Sequence, residues 1–179
     1  MKNSILLVFL CAIFSINAQQ WSQDNSQTKV TFKIKNFGVN VDGEFKGVDI
    51  ATNFDKNSLP SSYIKANIRV NSITTGIQKR DEHLLEESYF DTSNHKEIQL
   101  ISKKILSKGE DNFEMTAELT IKGRSKELLI PLKIDQNEDA IRIVSSFQIN
   151  RRSFGIGGGS LVMGKTVKIS VIYIGKRDN

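Results

Sequence analysis

The sequence predicts an all-β domain, and three observations carry that expectation. Apolar and polar residues alternate at period two along most of the chain, as they do on half-buried strands. Short clusters of Gly, Asn, Asp and Lys separate these runs and read as chain reversals. One segment near the middle switches to helical spacing. The chain has 179 residues, enough for one core, and its 39% hydrophobic and 25% charged residues with only two prolines place it among folded globular proteins.

The elements follow in order. Lys2, the apolar run from Ile5 to Phe14 and the small-residue end at Ala18 read as a secretory signal peptide over residues 1–18. The run is shorter than the roughly 17 to 25 residues a membrane span needs. Cleavage after Ala18 is expected to leave a single domain over residues 19–179. Cys11, the one cysteine, falls inside this leader, and Leu10 stands before it where lipidation wants a small residue. The mature chain is therefore expected to lack disulfide and thiolate chemistry.

Strands follow at Val30, Phe32, Ile34; at Val39, Val41, Phe45; at Val48, Ile50, Phe54; and at Ile64, Ala66, Ile68, Val70. The helical interruption comes next. Ile77, Leu84 and Leu85 stand at i, i+7 and i+8 among polar neighbours, and Thr75 with Gln78 has the spacing of a capping box. This predicts a helix of about three turns over residues 76–87. Strands resume at Ile98, Leu100; at Phe113 to Ile121; at Leu128 to Ile134; at Ile141 to Ile149; and at Val167 to Tyr173. Their turns are placed at Lys108–Asn112, Lys122–Ser125 and Asp135–Asp139.

About nine such segments in one open sheet would leave two long edges free to pair with other chains. Closing the sheet into an antiparallel up-and-down barrel of about eight strands removes them and leaves room for a small ligand. A sandwich would instead fill its centre from two sheets. Periodicity fits both.

The chemistry-bearing patterns are mostly negative. Gly159 to Thr166 spells the phosphate-loop string, yet Val167, Ile169, Val171 and Tyr173 continue as a strand where a helix is required, so the string reads as a hairpin loop. Only His83 and His95 could serve as imidazole bases, with no serine elbow and no metal-ligand spacing. No metal or cofactor is expected. The charge is +5, from 25 basic and 20 acidic residues of interspersed sign, and the aromatics fall on the inward phase of strands. No nucleic-acid surface is expected.

Several strings converge on one family. Ser72-Ile73-Thr74-Thr75-Gly76, Arg80-Asp81-Glu82-His83-Leu84 and Tyr89-Phe90-Asp91 resemble the central signature of the YceI-like proteins. Leu119-Thr120-Ile121-Lys122-Gly123, Arg151 to Gly157 and the hairpin from Thr28 to Phe45 resemble further family segments in the same order. The chain departs at Lys96 and Leu100, where the family commonly has proline and phenylalanine, and at Tyr89, where it has phenylalanine. A true lipocalin G-x-W is missing, since Gln19 and Gln20 precede Trp21.

The resemblance implies a lipocalin-like barrel around an elongated apolar ligand of polyisoprenoid type, in a periplasmic or secreted protein. The partner expected is thus a long-chain apolar lipid of the isoprenoid class, carried or stored without catalysis; a homodimer is an allowed assembly and a stable membrane span is not expected. The alternation phase gives the lining as Phe32, Phe45, Ile68, Leu84, Phe90, Leu100, Phe113, Met115, Phe147 and Phe154. Arg80 and Arg151 are the rim candidates for a phosphate head; the structural alternative pairs them with Asp81 or Asp91. Two rival functions are a hydrolase acting on an apolar amide or ester through His83 and Asp81, and an interaction barrel with a filled core.

Overall fold

The computed structural model describes residues 21–177; the expected leader, its cleavage site and Cys11 lie outside them. Eleven strands form one antiparallel sheet: β1 (Trp21–Gln23), β2 (Lys29–Asn36), β3 (Val39–Phe45), β4 (Val48–Thr52), β5 (Ile64–Arg69), β6 (Ile73–Thr74), β7 (Glu97–Ser107), β8 (Asn112–Ile121), β9 (Arg124–Gln136), β10 (Ala140–Asn150) and β11 (Met163–Arg177). Among the described residues one α-helix, α1 (Gln78–Leu84), lies in the crossover between β6 and β7.

The pieces amount to eight strand positions. β1 and β2 pair one after the other with β11. β3 and β4 are parted by Lys46 and Gly47, and β5 and β6 by a 3₁₀ turn over Val70–Ser72. Lys46 N–H donates to Ser72 O at 3.1 Å and Arg69 N–H to Gly47 O at 2.8 Å, so pairing carries through both bends. With β5 on β7 and β11 on β2, the ladder curls round on itself as a barrel. Where β2 leaves off, the Gln23 side chain spans to β4, donating to Val48 O at 2.8 Å and accepting from Ile50 N–H at 2.7 Å. A side-chain amide there replaces a backbone ladder and satisfies an edge.

Alternation sets the inner face. In β8, Phe113, Met115, Ala117, Leu119 and Ile121 are all buried while their neighbours are not. The two-residue turns Phe37–Gly38 and Lys122–Gly123 have both residues at positive φ, the geometry that matches strand twist in a tight hairpin. Asn137 fixes the β9–β10 reversal, its side-chain oxygen accepting from Asp139 and Ala140 amides at 2.9 and 2.8 Å.

The helix differs from its sequence expectation. It has seven residues, about two turns, and no capping box forms. Asp81 reaches back instead: its carboxylate accepts from Thr75 N–H at 2.9 Å, from the Thr74 hydroxyl at 3.2 Å and from the Thr75 hydroxyl, while Gln78 donates to Glu82 at 2.9 Å. After Leu84 the chain tightens, with Phe90 N–H on Leu84 O at 3.1 Å and Asp91 N–H on Glu86 O at 2.9 Å. Those turns end the helix before residue 87.

One end of the barrel is closed by side chains. Trp21 donates to Phe54 O at 3.1 Å, Tyr173 to Trp21 O at 3.2 Å, and Phe54 meets Phe113 edge-on at 5.1 Å. At the other end stand the β2–β3 and β8–β9 turns, the α1 crossover and the 151–162 loop.

Candidate functional site: an apolar cavity

Between the closed end and the crossover the barrel encloses a cavity of about 210 Å³. Its wall draws inward-facing residues from β2 through β11, and nearly all are aliphatic or aromatic. Ser145, a polar exception, spends its hydroxyl on Pro131 O at 2.7 Å, so it offers the cavity little polarity. An apolar void has nothing to hold water in place, and hydrocarbon gains from entering it.

Eight expected lining residues stand in this wall: Phe32, Phe45, Ile68, Leu84, Phe90, Leu100, Met115 and Phe147. Phe32, Phe45 and Phe90 form an arc, with centroids 5.7 and 6.2 Å apart. It links β2 and β3 to the crossover. Two expected residues stand elsewhere. Phe113 lies at the closed end against Phe54, and Phe154 is buried on the 3₁₀ turn Arg151–Phe154 with Val70, Ile98 and Leu119. Alternation gives the face of a side chain but not its depth along the barrel. Residues absent from the expectation but present in the wall include Ile34, Tyr89, Met163, Val167 and Tyr173. The phases of β2 and β11 carried Ile34, Val167 and Tyr173; Tyr89 in the crossover and Met163 at the start of β11 carried no periodic signal.

Both candidate arginines line the cavity. Arg80 donates from Nε to the Thr75 hydroxyl at 2.7 Å and from one terminal nitrogen to Thr75 O at 2.8 Å. Arg151 is 1% exposed and donates to four backbone carbonyls, Gly164, Ile156, Gly158 and Met163, at 2.6 to 3.1 Å. Burial, then the neighbouring charge of Arg152, pushes its pKa down, with Tyr89 opposing. The expected pairing with Asp81 or Asp91 is not formed. Asp81 serves the threonines, and Asp91 accepts from Asn94 at 3.0 and 3.1 Å. Neither arginine has a carboxylate partner among the described residues.

His83 turns to Glu86 at 2.9 Å rather than to Asp81, and its side chain is 54% exposed outside the cavity wall. The His83–Asp81 dyad is therefore not assembled. Among the described residues no group of three or more His, Cys, Asp or Glu could hold a metal ion. No described helix is long and apolar enough to cross a membrane.

A family model for the YceI-like domain matches residues 21–172. The chain belongs to the YceI-like family. Relatives include a UPF0312 protein of Staphylococcus epidermidis, 28% identical over 81% of this chain and 90% of the relative. Another, from Vibrio cholerae, is 25% identical over 73% of this chain and 72% of its own. Among solved structures, Burkholderia cenocepacia BcnA superposes with a TM-score of 0.81 at 22% identity, over 86% of this chain and 99% of that one. A polyisoprenoid binding domain from Saccharophagus degradans, implicated in plant cell wall breakdown, gives 0.72 at 16% identity over 88% and 98%. At these identities the likeness is one of fold.

Proposed function

We propose that this YceI-like chain binds an elongated apolar lipid of the polyisoprenoid class inside its barrel, as a non-catalytic carrier or store. The observation that carries the reading is the apolar wall around a preformed void. Each CH₂ moved out of water contributes about 0.8 kcal/mol, so ten carbons offset much of the cost of association without any polar contact. The fold shared with a polyisoprenoid binding domain supports the same ligand class. The void itself speaks against a filled-core interaction barrel, and the unassembled His83–Asp81 pair favours binding over hydrolysis.

The ligand's head would meet Arg80, whose second terminal nitrogen has no hydrogen bond among the described residues, with the buried charge of Arg151 adding a field that favours an anion. The leader expected over residues 1–18 from their sequence supports a working place in the periplasm or outside the cell.

Native mass spectrometry of protein purified from its own envelope, followed by solvent extraction, tests the reading. A stoichiometric isoprenoid is expected. Leu84→Trp and Met115→Trp should lower uptake of a detergent-dispersed isoprenoid while far-UV circular dichroism stays at the parent trace. Uptake unchanged in both variants would remove the cavity as the binding site, and His83→Ala should leave uptake intact.

A further inference from the structure

The β2–β3 turn and the loop entering β11 form a single protruding tip at the mouth of the barrel. Phe37 N–H donates to Val162 O at 3.0 Å, and Asn36 faces Met163 across the ladder. Asn36 and Met163 line the cavity, so the residues just beyond them stand at its rim. Those residues are apolar and bare: Phe37 is 75% exposed, Val39 67% and Leu161 100%.

Phe37 carries a second cost. It sits at φ +50°, where asparagine or glycine would be unstrained, so backbone and water both disfavour a phenylalanine there. A residue kept against both preferences points to use.

The charge around the tip says what it meets. Lys35, Arg152 and Lys165 flank it, and none has a carboxylate partner among the described residues. The sequence from residue 140 to 177 contains no aspartate or glutamate, and the near acid on β3, Asp42, is held by Lys33 at 3.1 Å. The crossover on the other side of the mouth is mixed in sign, with Asp81, Glu82, Glu86 and Glu87 outnumbering Lys79 and Arg80 over residues 76–87. Cations would repel a second copy's tip but suit anionic head groups, and apolar side chains inserted among them supply the second anchor that stable attachment needs.

We propose that this tip docks on a bilayer bearing anionic head groups, held by Phe37 and Leu161 in the interface and tilted away from the crossover after β6. The cavity mouth then faces the membrane, and a lipid passes between them without crossing water. That purpose rests on the lipid-binding reading; the docking itself does not.

Vesicle flotation of the mature chain tests it, with phosphatidylcholine alone and with phosphatidylcholine mixed with phosphatidylglycerol. The protein is expected to float with the mixed vesicles and less so in high salt. Phe37→Ser/Leu161→Ser should lower that partition by about tenfold or more, while Leu129→Ser, at a 66% exposed site on the outer wall, should not. Protein left in solution with both vesicle types, or an equal loss in the Leu129 variant, would overturn docking. So would self-association that the tip variant abolishes in the absence of vesicle binding. Uptake of detergent-dispersed isoprenoid separates the two readings: the tip variant should keep it, and its absence in the parent would sink the cargo reading while flotation still reports docking.

Discussion

Asp24 shows how one side chain sets a pH dependence. Its carboxylate accepts from the Ser26 hydroxyl at 2.6 Å, from Lys176 at 3.0 Å and from Gln27 at 2.8 Å, and those bonds hold it well below the usual carboxylate range. A folded pKa below the unfolded value, about 3.9, means that its stabilising effect is full above that value and is lost as pH falls through the folded one. Asp24→Asn should therefore melt below the parent at neutral pH, and thermal melts in increasingly acid buffer should show the gap narrowing from about pH 4 downward. Arg151 acts differently. Four carbonyls depend on it inside the barrel, so Arg151→Leu should cost about 3 kcal/mol, seen as a Tm lower by about 6–12 °C. A fall much smaller than that would mean that the 156–164 loop finds other donors. Neither role was legible beforehand: a charged residue in a string announces a charge, not which backbone atoms come within its reach.

At the scale of elements, hairpins were readable because a turn needs only its own residues, and the strands at Phe113–Ile121 and Leu128–Ile134 stand where alternation put them. The helix was legible in kind and not in extent. Its start is fixed by Asp81 reaching back to Thr74 and Thr75, and its end by turns that carry Phe90 onto Phe45. Both are contacts between segments, which spacing does not encode. Gly43 on β3 is a similar case. It faces Phe32 across the ladder, and a Cβ there would lie 2.3 Å from the ring. The ring cannot retreat freely because Phe45 is packed beside it. Gly43→Ala should thus destabilise by about 1–3 kcal/mol by chemical denaturation. Adding Phe32→Leu should restore most of it; if the double variant is no better than the single, the cost arises in the backbone and not at the ring.

For the whole molecule, alternation allowed a barrel and a sandwich alike, and what selects the barrel is long-range: two bent strand pairs and the Gln23 bridge bring the ends of the sheet together. Closure leaves a void that eight strand positions surround, and a void is a site where binding and stability are linked. A ligand that enters only the folded state stabilises it by RT ln(1 + [L]/Kd), about 2.7 kcal/mol at a hundredfold excess over Kd. For a domain of this size that is a rise in Tm of about 5–10 °C. Met115→Trp places extra bulk in the wall, so its own Tm can move either way through packing, but the ligand-induced increment should shrink toward zero. The increment, not the absolute Tm, is therefore the quantity to compare in scanning calorimetry with and without a detergent-dispersed isoprenoid. Equal increments in parent and variant would place the lipid outside the barrel, on a surface that Met115 does not reach.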